Sequence, residues 1–107
     1  MDAQQEYETL ADRMASMLPV TKSRMFSMPC LKTSQRKAFA GFTRNSMVFK
    51  LSEPEHARAL ALAGAYLFDP GGMGRPMKEW VVVPASHAAE WEDLAQAAFA
   101  YVDGLSQ

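Results

Sequence analysis

No Asp or Glu occurs between Asp12 and Glu53, a stretch that nevertheless holds Lys22, Arg24, Lys32, Arg36, Lys37, Arg44 and Lys50. The whole chain carries a formal charge of -1, so the acids are gathered toward the N-terminus, around Glu53 and Glu55, and near the C-terminus. The gap therefore marks a polarised protein and not a basic one. A pI of about 6.1 argues against indiscriminate coating of DNA. Clustered like charge raises the local potential, so the cationic middle, gathered on one accessible patch, points to an anion or an acidic partner.

Cysteine is nearly missing. Cys30 stands alone, which excludes an internal disulfide and agrees with a reducing compartment. Histidine is scarce too, with His56 and His87 far apart in sequence. One thiol and two separated imidazoles do not make a tetrahedral metal set, and the carboxylates lack calcium-loop spacing. Neither a metal nor another cofactor is expected. Long apolar runs are lacking as well: Ala57 to Ala65 and Trp80 to Ala85 fall well short of the roughly 20 residues that span a bilayer. Acidic and polar residues follow Met1, in place of the basic start and apolar stretch of a signal peptide. A cytoplasmic protein without a membrane partner is the expectation.

What is present is globular. Apolar residues make up 49% and charged residues 21% of the 107 positions, enough for one domain around one core that buries roughly two-thirds of the unfolded surface. Tyr7, Leu10, Ala11, Met14, Met17 and Leu18 recur at helical spacing, and Pro19 ends that helix. The period then changes. Arg24 to Lys32, Lys37 to Arg44 and Met47 to Leu51 read as three antiparallel strands, separated by the polar break Thr33-Ser34-Gln35 and by Arg44-Asn45-Ser46, whose Asn tolerates positive φ. Pro29 lacks a ladder donor, which places the first strand at an edge or gives it a bulge.

Ser52-Glu53-Pro54-Glu55 has the form of a capping box and predicts a helix with Ala57, Leu60, Ala61 and Ala63 on its packing face and Gly64 as a left-handed C-cap. Tyr66 to Phe68 and Met77 to Val83 read as two further strands. Between them lies the loop Asp69-Pro70-Gly71-Gly72-Met73-Gly74-Arg75-Pro76. After Pro84, Ser86 is placed to cap a last helix with the stripe Trp91, Leu94, Ala95, Ala98 and Val102, and Gly104 to release the chain. The predicted fold is α+β, an antiparallel five-stranded sheet with helices packed against it in the order α-β-β-β-α-β-β-α.

The run Arg24-Met25-Phe26-Ser27-Met28-Pro29-Cys30-Leu31-Lys32, with Ala38-Phe39-Ala40-Gly41 and the segment from Asp69 to Pro84, resembles the TfoX/Sxy N-terminal domain over most of the chain. Ser27 stands where that family usually has a glycine. The resemblance implies an α+β fold similar to small secretion-chaperone-like domains and places the protein near regulators of competence and transcription, without established catalysis in this domain. The family's regulators carry a second, helical domain, so the resemblance implies a stand-alone version.

Four chemistries compete for the remaining signals. Cys30 with His56 or His87 would form a thiol-imidazole pair if the fold joined them; more simply, Cys30 is a small buried strand residue. The Gly71-Gly72-Met73-Gly74 amides would cradle a phosphate with Arg75 or Lys78 beside them, but the loop leads into a strand and not a helix, which favours a wide hairpin loop. Phe39 and Phe42 among the hairpin cations resemble a nucleic-acid surface, although strict alternation sends them to opposite faces. The preferred reading is a non-enzymatic module that binds a protein partner, with a homodimer as a second arrangement. It acts through a sheet edge and the glycine loop, with Arg24, Lys32, Met73, Arg75 and Lys78 in contact. Met25, Met28 and Met47 are read as core, Met73 as exposed, and Trp80 as sharing a face with Val82.

Overall fold

Asp2 opens the first helix: its carboxylate accepts from the Gln5 amide at 2.8 Å while Gln5 Oε1 accepts from the Asp2 N-H at 3.2 Å, a reciprocal cap that satisfies two orphan donors. In this computed structural model, which describes residues 2–105, α1 runs Ala3–Met17 and buries Tyr7, Leu10, Ala11 and Met14. Six strands follow, β1 (Thr21–Met25), β2 (Met28–Lys32), β3 (Ala38–Thr43), β4 (Ser46–Lys50), β5 (Tyr66–Phe68) and β6 (Met77–Pro84). Helix α2 (Glu55–Leu60) lies between β4 and β5, and a single 3-10 turn, Ala85–His87, leads into α3 (Ala88–Leu105). The sheet is wholly antiparallel, ordered β1-β2-β3-β4-β6-β5.

The expected α+β class and antiparallel sheet are present, but with six strands where the sequence predicts five. The difference lies in the first run. Arg24 to Lys32 is a tight hairpin, turning at Phe26 and Ser27 with φ of 48° and 62°, where no Gly, Asn or Pro signals a turn. Pro29 thus sits in β2, between β1 and β3. In a two-residue hairpin the closing pair, here Met25–Met28, exchanges its backbone hydrogen bonds, and such pairs alternate along the ladder. The Pro29 nitrogen therefore points toward β3, where the pairing begins only at Cys30–Gly41.

A β-bulge corrects the alternation argument. Leu31 pairs with Ala40 but Lys32 pairs with Ala38, so Phe39 is an extra residue and the side-chain parity shifts across it. Phe39 and Phe42 consequently share one face. Phe39 meets Phe99 edge-on at 5.4 Å, and Phe42 packs on Tyr7 at 5.3 Å and on Trp91 at 6.4 Å.

That face carries the main core: Leu31, Phe39, Met47, Phe49, Val81 and Val83 from the sheet, and Leu10, Met14, Trp91, Leu94, Ala95, Ala98 and Val102 from α1 and α3. The predicted α3 stripe is buried in full, and the Trp91 indole donates to the Val83 carbonyl at 3.2 Å. The opposite face holds a second, smaller core of Met28, Val48, Phe68, Trp80 and Val82, confirming that Trp80 and Val82 lie together. Met28 and Met47 are buried, Met25 is half-buried at the margin, and Met73 is 82% exposed.

Both ends of α2 and of α3 differ from expectation. Ser52 does not cap α2; the Glu53 carboxylate accepts from the Ala57 amide at 2.8 Å instead, and Ala59 is the buried residue while Ala57, Leu60, Ala61 and Ala63 are exposed. Helix α2 ends at Leu60, before Gly64 at φ 84°. Ser86 falls inside the 3-10 turn, and Gly104 lies within α3.

Gly41 is required by close packing. A methyl there would lie 2.7 Å from Met28 Cε, 3.2 Å from the Pro29 carbonyl oxygen and 3.3 Å from Val48 Cγ2. The thioether end can swing aside, but the carbonyl cannot. Gly41→Ala is expected to lower the free energy of unfolding by about 1–3 kcal/mol in denaturant titrations. Gly104→Ala, with nothing within 4 Å of the added methyl, should raise it by about 0.5–1 kcal/mol. Equal stability of Gly41→Ala and the parent would contradict the packing of β2 on β3.

Candidate functional site

The strand order ends at β1 on one side and at β5 on the other. β5 is three residues long, whereas β1 has five, of which Thr21, Lys22 and Arg24 are exposed. Along β1 the pairs Thr21–Lys32, Ser23–Cys30 and Met25–Met28 exchange hydrogen bonds with β2. The backbone groups of Lys22 and Arg24 therefore point outward, and among the described residues no strand lies beyond them. An outward row of unpaired N-H and C=O groups is a template for another strand.

On the helix side, this edge borders a groove of about 640 Å³ between α1, the β1–β2 hairpin and the β3–β4 turn. Its floor includes the stacked rings of Tyr7 and Phe42 together with Pro29. Lys22, Arg24 and Arg44 stand on the strand side, and Glu8 and Asp12 on the helix side. The Lys22 ammonium pairs with Asp12, and an Arg24 Nη donates to the Ser27 carbonyl at 2.8 Å. The groove depends on how α1 crosses the hairpin, so it is not visible in the sequence; the alternation Lys22-x-Arg24 was the available signal.

The basic middle segment does not form one patch. Lys32, Arg36 and Lys37 cluster at the β2–β3 connection, whereas Arg24 and Arg44 lie beside the β1–β2 and β3–β4 turns at the other end of the strands. Lys22 is paired with Asp12, and Lys50 approaches Glu79 at 3.9 Å. The residues proposed as contacts are divided in the same way. Arg24 is on the β1 edge, and Lys32 ends β2 beside Thr21. Met73 and Arg75 lie in the β5–β6 loop, and Lys78 is near the start of β6, on the far side of the sheet order. All but the half-buried Lys32 are exposed.

The glycine loop is occupied by the chain's own carboxylate. Asp69 accepts from the Gly72 amide at 3.0 Å and from the Gly74 amide at 2.9 Å, so the amides that would cradle a phosphate already hold an anion. Positive φ at Gly72 and Gly74 fits the wide hairpin loop.

Cys30 is fully buried, and burial pushes its thiol up, with Lys32 and then Arg24 pulling it part of the way back. The imidazoles are engaged elsewhere: His56 Nε2 donates to the Lys78 carbonyl and His87 Nε2 to the Ala63 carbonyl, each at 2.8 Å. Among the described residues, no three His, Cys, Asp or Glu side chains form a group that could hold a metal ion, and no helix is long and apolar enough to cross a membrane.

Fold and edge together define a class, a small α+β protein whose helices pack on one sheet face and whose terminal strand β1 has an unpaired outer edge among the described residues. No protein-family model, curated protein or solved structure matches the chain.

Both buried ionisable groups make stability fall in alkali. The phenol of Tyr7 is raised by burial and secondarily by Cys30, as the thiol is raised by its own burial. A raised folded-state pKa favours the protonated form, so its contribution is complete at neutral pH and is lost as the unfolded chain ionises first. Stability is expected to decline from about pH 8.5 for the thiol and from about pH 10 for the phenol. Cys30→Ala should remove the first step in pH-dependent denaturation. Native Cys30 should resist an aromatic disulfide reagent until the chain is unfolded.

Proposed function

We propose that this protein is a small non-enzymatic regulatory module that recruits a partner protein by adding an extended, acidic segment of it to the β1 edge. The single observation that carries this reading is a terminal strand whose outward backbone groups belong to two cationic residues, Lys22 and Arg24. In strand addition, main-chain hydrogen bonds supply affinity and alternate side chains supply specificity. Lys22 and Arg24 are two apart and share a face, so carboxylates at alternate positions of the incoming segment meet them in turn. The exposed Lys22–Asp12 pair is worth no more than about 1 kcal/mol, and an incoming carboxylate displaces it readily.

Charge disfavours a second copy as the occupant. Two β1 edges joined antiparallel about a two-fold axis centred on Ser23 set Lys22 of each copy opposite Arg24 of the other, and like charges directly opposed destabilise a sheet. The divided cations give a phosphate backbone no continuous track, which weighs against nucleic acid. The buried, raised Cys30 thiol weighs against nucleophilic chemistry. The resemblance of Arg24–Lys32 and Asp69–Pro84 to the TfoX N-terminal domain supports a regulatory setting, with competence or transcription control as the pathway it points to.

The test uses short peptides with glutamate at alternate positions. Binding should slow amide exchange at Lys22 and Arg24. Lys22→Glu with Arg24→Glu should weaken the peptide by at least about tenfold, or roughly 1.4 kcal/mol. Arg24→Pro removes an outward donor that β2 does not use, and it should also abolish binding while leaving the circular dichroism spectrum unchanged. Undiminished affinity in these folded variants would discard the edge as the binding surface.

A further inference from the structure

Four non-glycine residues in the two tight hairpins occupy the left-handed region: Phe26 at φ 48°, Ser27 at 62°, Arg44 at 50° and Asn45 at 61°. Turns of this geometry favour Asn and Gly, because a β-carbon there meets the following carbonyl at a cost of about 1–2 kcal/mol per residue. In each hairpin the first turn position is instead filled by a large side chain, Phe26 in one and Arg44 in the other. Local rules broken without a packing gain mark functional positions. The gain here is small, since the Phe26 side chain is 60% exposed.

Both side chains border the same cavity. It lies on the helix-free face of the sheet, has a volume of about 440 Å³, and is lined by Phe26, Met28, Arg44, Tyr66, Phe68 and Val82 among others. Its walls come from the two sides of the sheet order and meet through the curl of the sheet, with the Phe26 and Phe68 rings 6.3 Å apart. Tyr66 is 55% exposed, so two aromatic rings stand open at one cleft beside a cation. Arg44 has no ion pair among the described residues. The acid on the far wall, Asp69, turns its charge into its own loop through the Gly72 and Gly74 amides. The volume lies in the range of small-molecule sites, which are mostly apolar with few polar groups.

We infer that this cleft binds a free small aromatic carboxylate, whose ring packs against Phe26 and Tyr66 and whose carboxylate pairs with Arg44. An arginine fork matches a carboxylate in two hydrogen bonds, and ring-on-ring packing selects a flat apolar body. Arg44 also stands on the groove beside β1, but strand addition uses Lys22 and Arg24, so the two readings are tested by different variants.

The probes are 1-naphthoate and its neutral counterpart 1-naphthamide, titrated by calorimetry and by proton-carbon spectra of the aromatic rings. Naphthoate is expected to saturate, to shift the Phe26 and Tyr66 ring signals, and to bind at least about tenfold more tightly than naphthamide. Phe26→Asn suits the turn, so it should hold or raise the melting temperature while weakening naphthoate by a similar factor. Arg44→Asn should keep the fold and erase the preference for the carboxylate. Four results would overturn the site: equal binding of the two probes, no saturation in the millimolar range, ring shifts confined to other aromatics, or a Phe26→Asn protein that melts lower yet binds naphthoate as the parent does.

Discussion

Helices packed on one side of a six-stranded sheet leave its other side no partner but itself. That side carries Met28, Val48, Phe68, Trp80 and Val82, too much apolar surface to leave in water at about 25 cal/mol per Å². The sheet answers by twist and curl, which bring the β1–β2 turn across to β5 and let Phe26 meet Phe68. Gly41 serves the same end, since only a residue without a β-carbon lets Met28 lie flat over β3. The curl also accounts for two of the recesses among the described residues. One lies on the helix side beside β1, and the other on the open side between sequence-distant turns.

Much of this is written in the residues, and the failures have identifiable causes. Helices α1 and α3 were legible because their apolar stripes are long and regular. The strands were legible as runs, but the register was not. A bulge at Phe39 shifts side-chain parity without any Gly or Pro to announce it, so a period-two argument sends Phe42 to the wrong face. The hairpin at Phe26–Ser27 was hidden for the opposite reason. Its apolar flanks continue through the turn, and a phenylalanine in the left-handed region contradicts the statistics on which turn recognition rests. Near Ser52 a plausible cap lost to a neighbour, because the longer Glu53 side chain reaches the Ala57 amide from one residue closer to the helix.

Charge segregation in sequence is a poor guide to segregation in space when the segment is a meander. Successive hairpin turns alternate between the two ends of the strands, so a run of basic turn residues must divide. Arg24 and Arg44 go to one end, and Lys32, Arg36 and Lys37 to the other. What survives is narrower and more specific than a cationic patch. Two cations at alternate positions of an edge strand read an acid pattern with a spacing, whereas a diffuse patch reads only sign. Pro29 in the sequence points to an edge for the strand that contains it, but that strand is internal, and the edge belongs to its partner β1.

The two strained turns show where sequence-level consistency stops. A chain selected for stability alone places asparagine and glycine at such positions and gains up to a few kcal/mol over the three residues that depart from them. Asn45 obeys that rule and Phe26, Ser27 and Arg44 do not. The large side chains at the first positions of these two turns border one cleft from neighbouring hairpins, whereas Arg36, also at φ 64°, lies at the other end of the strands. The meander sets these two turns side by side, but core packing requires a large residue at neither, because Phe26 stands largely in solvent and Arg44 is exposed. A common demand on both turns, the holding of a ring and a cation over one cavity, accounts for the pattern with a single cause.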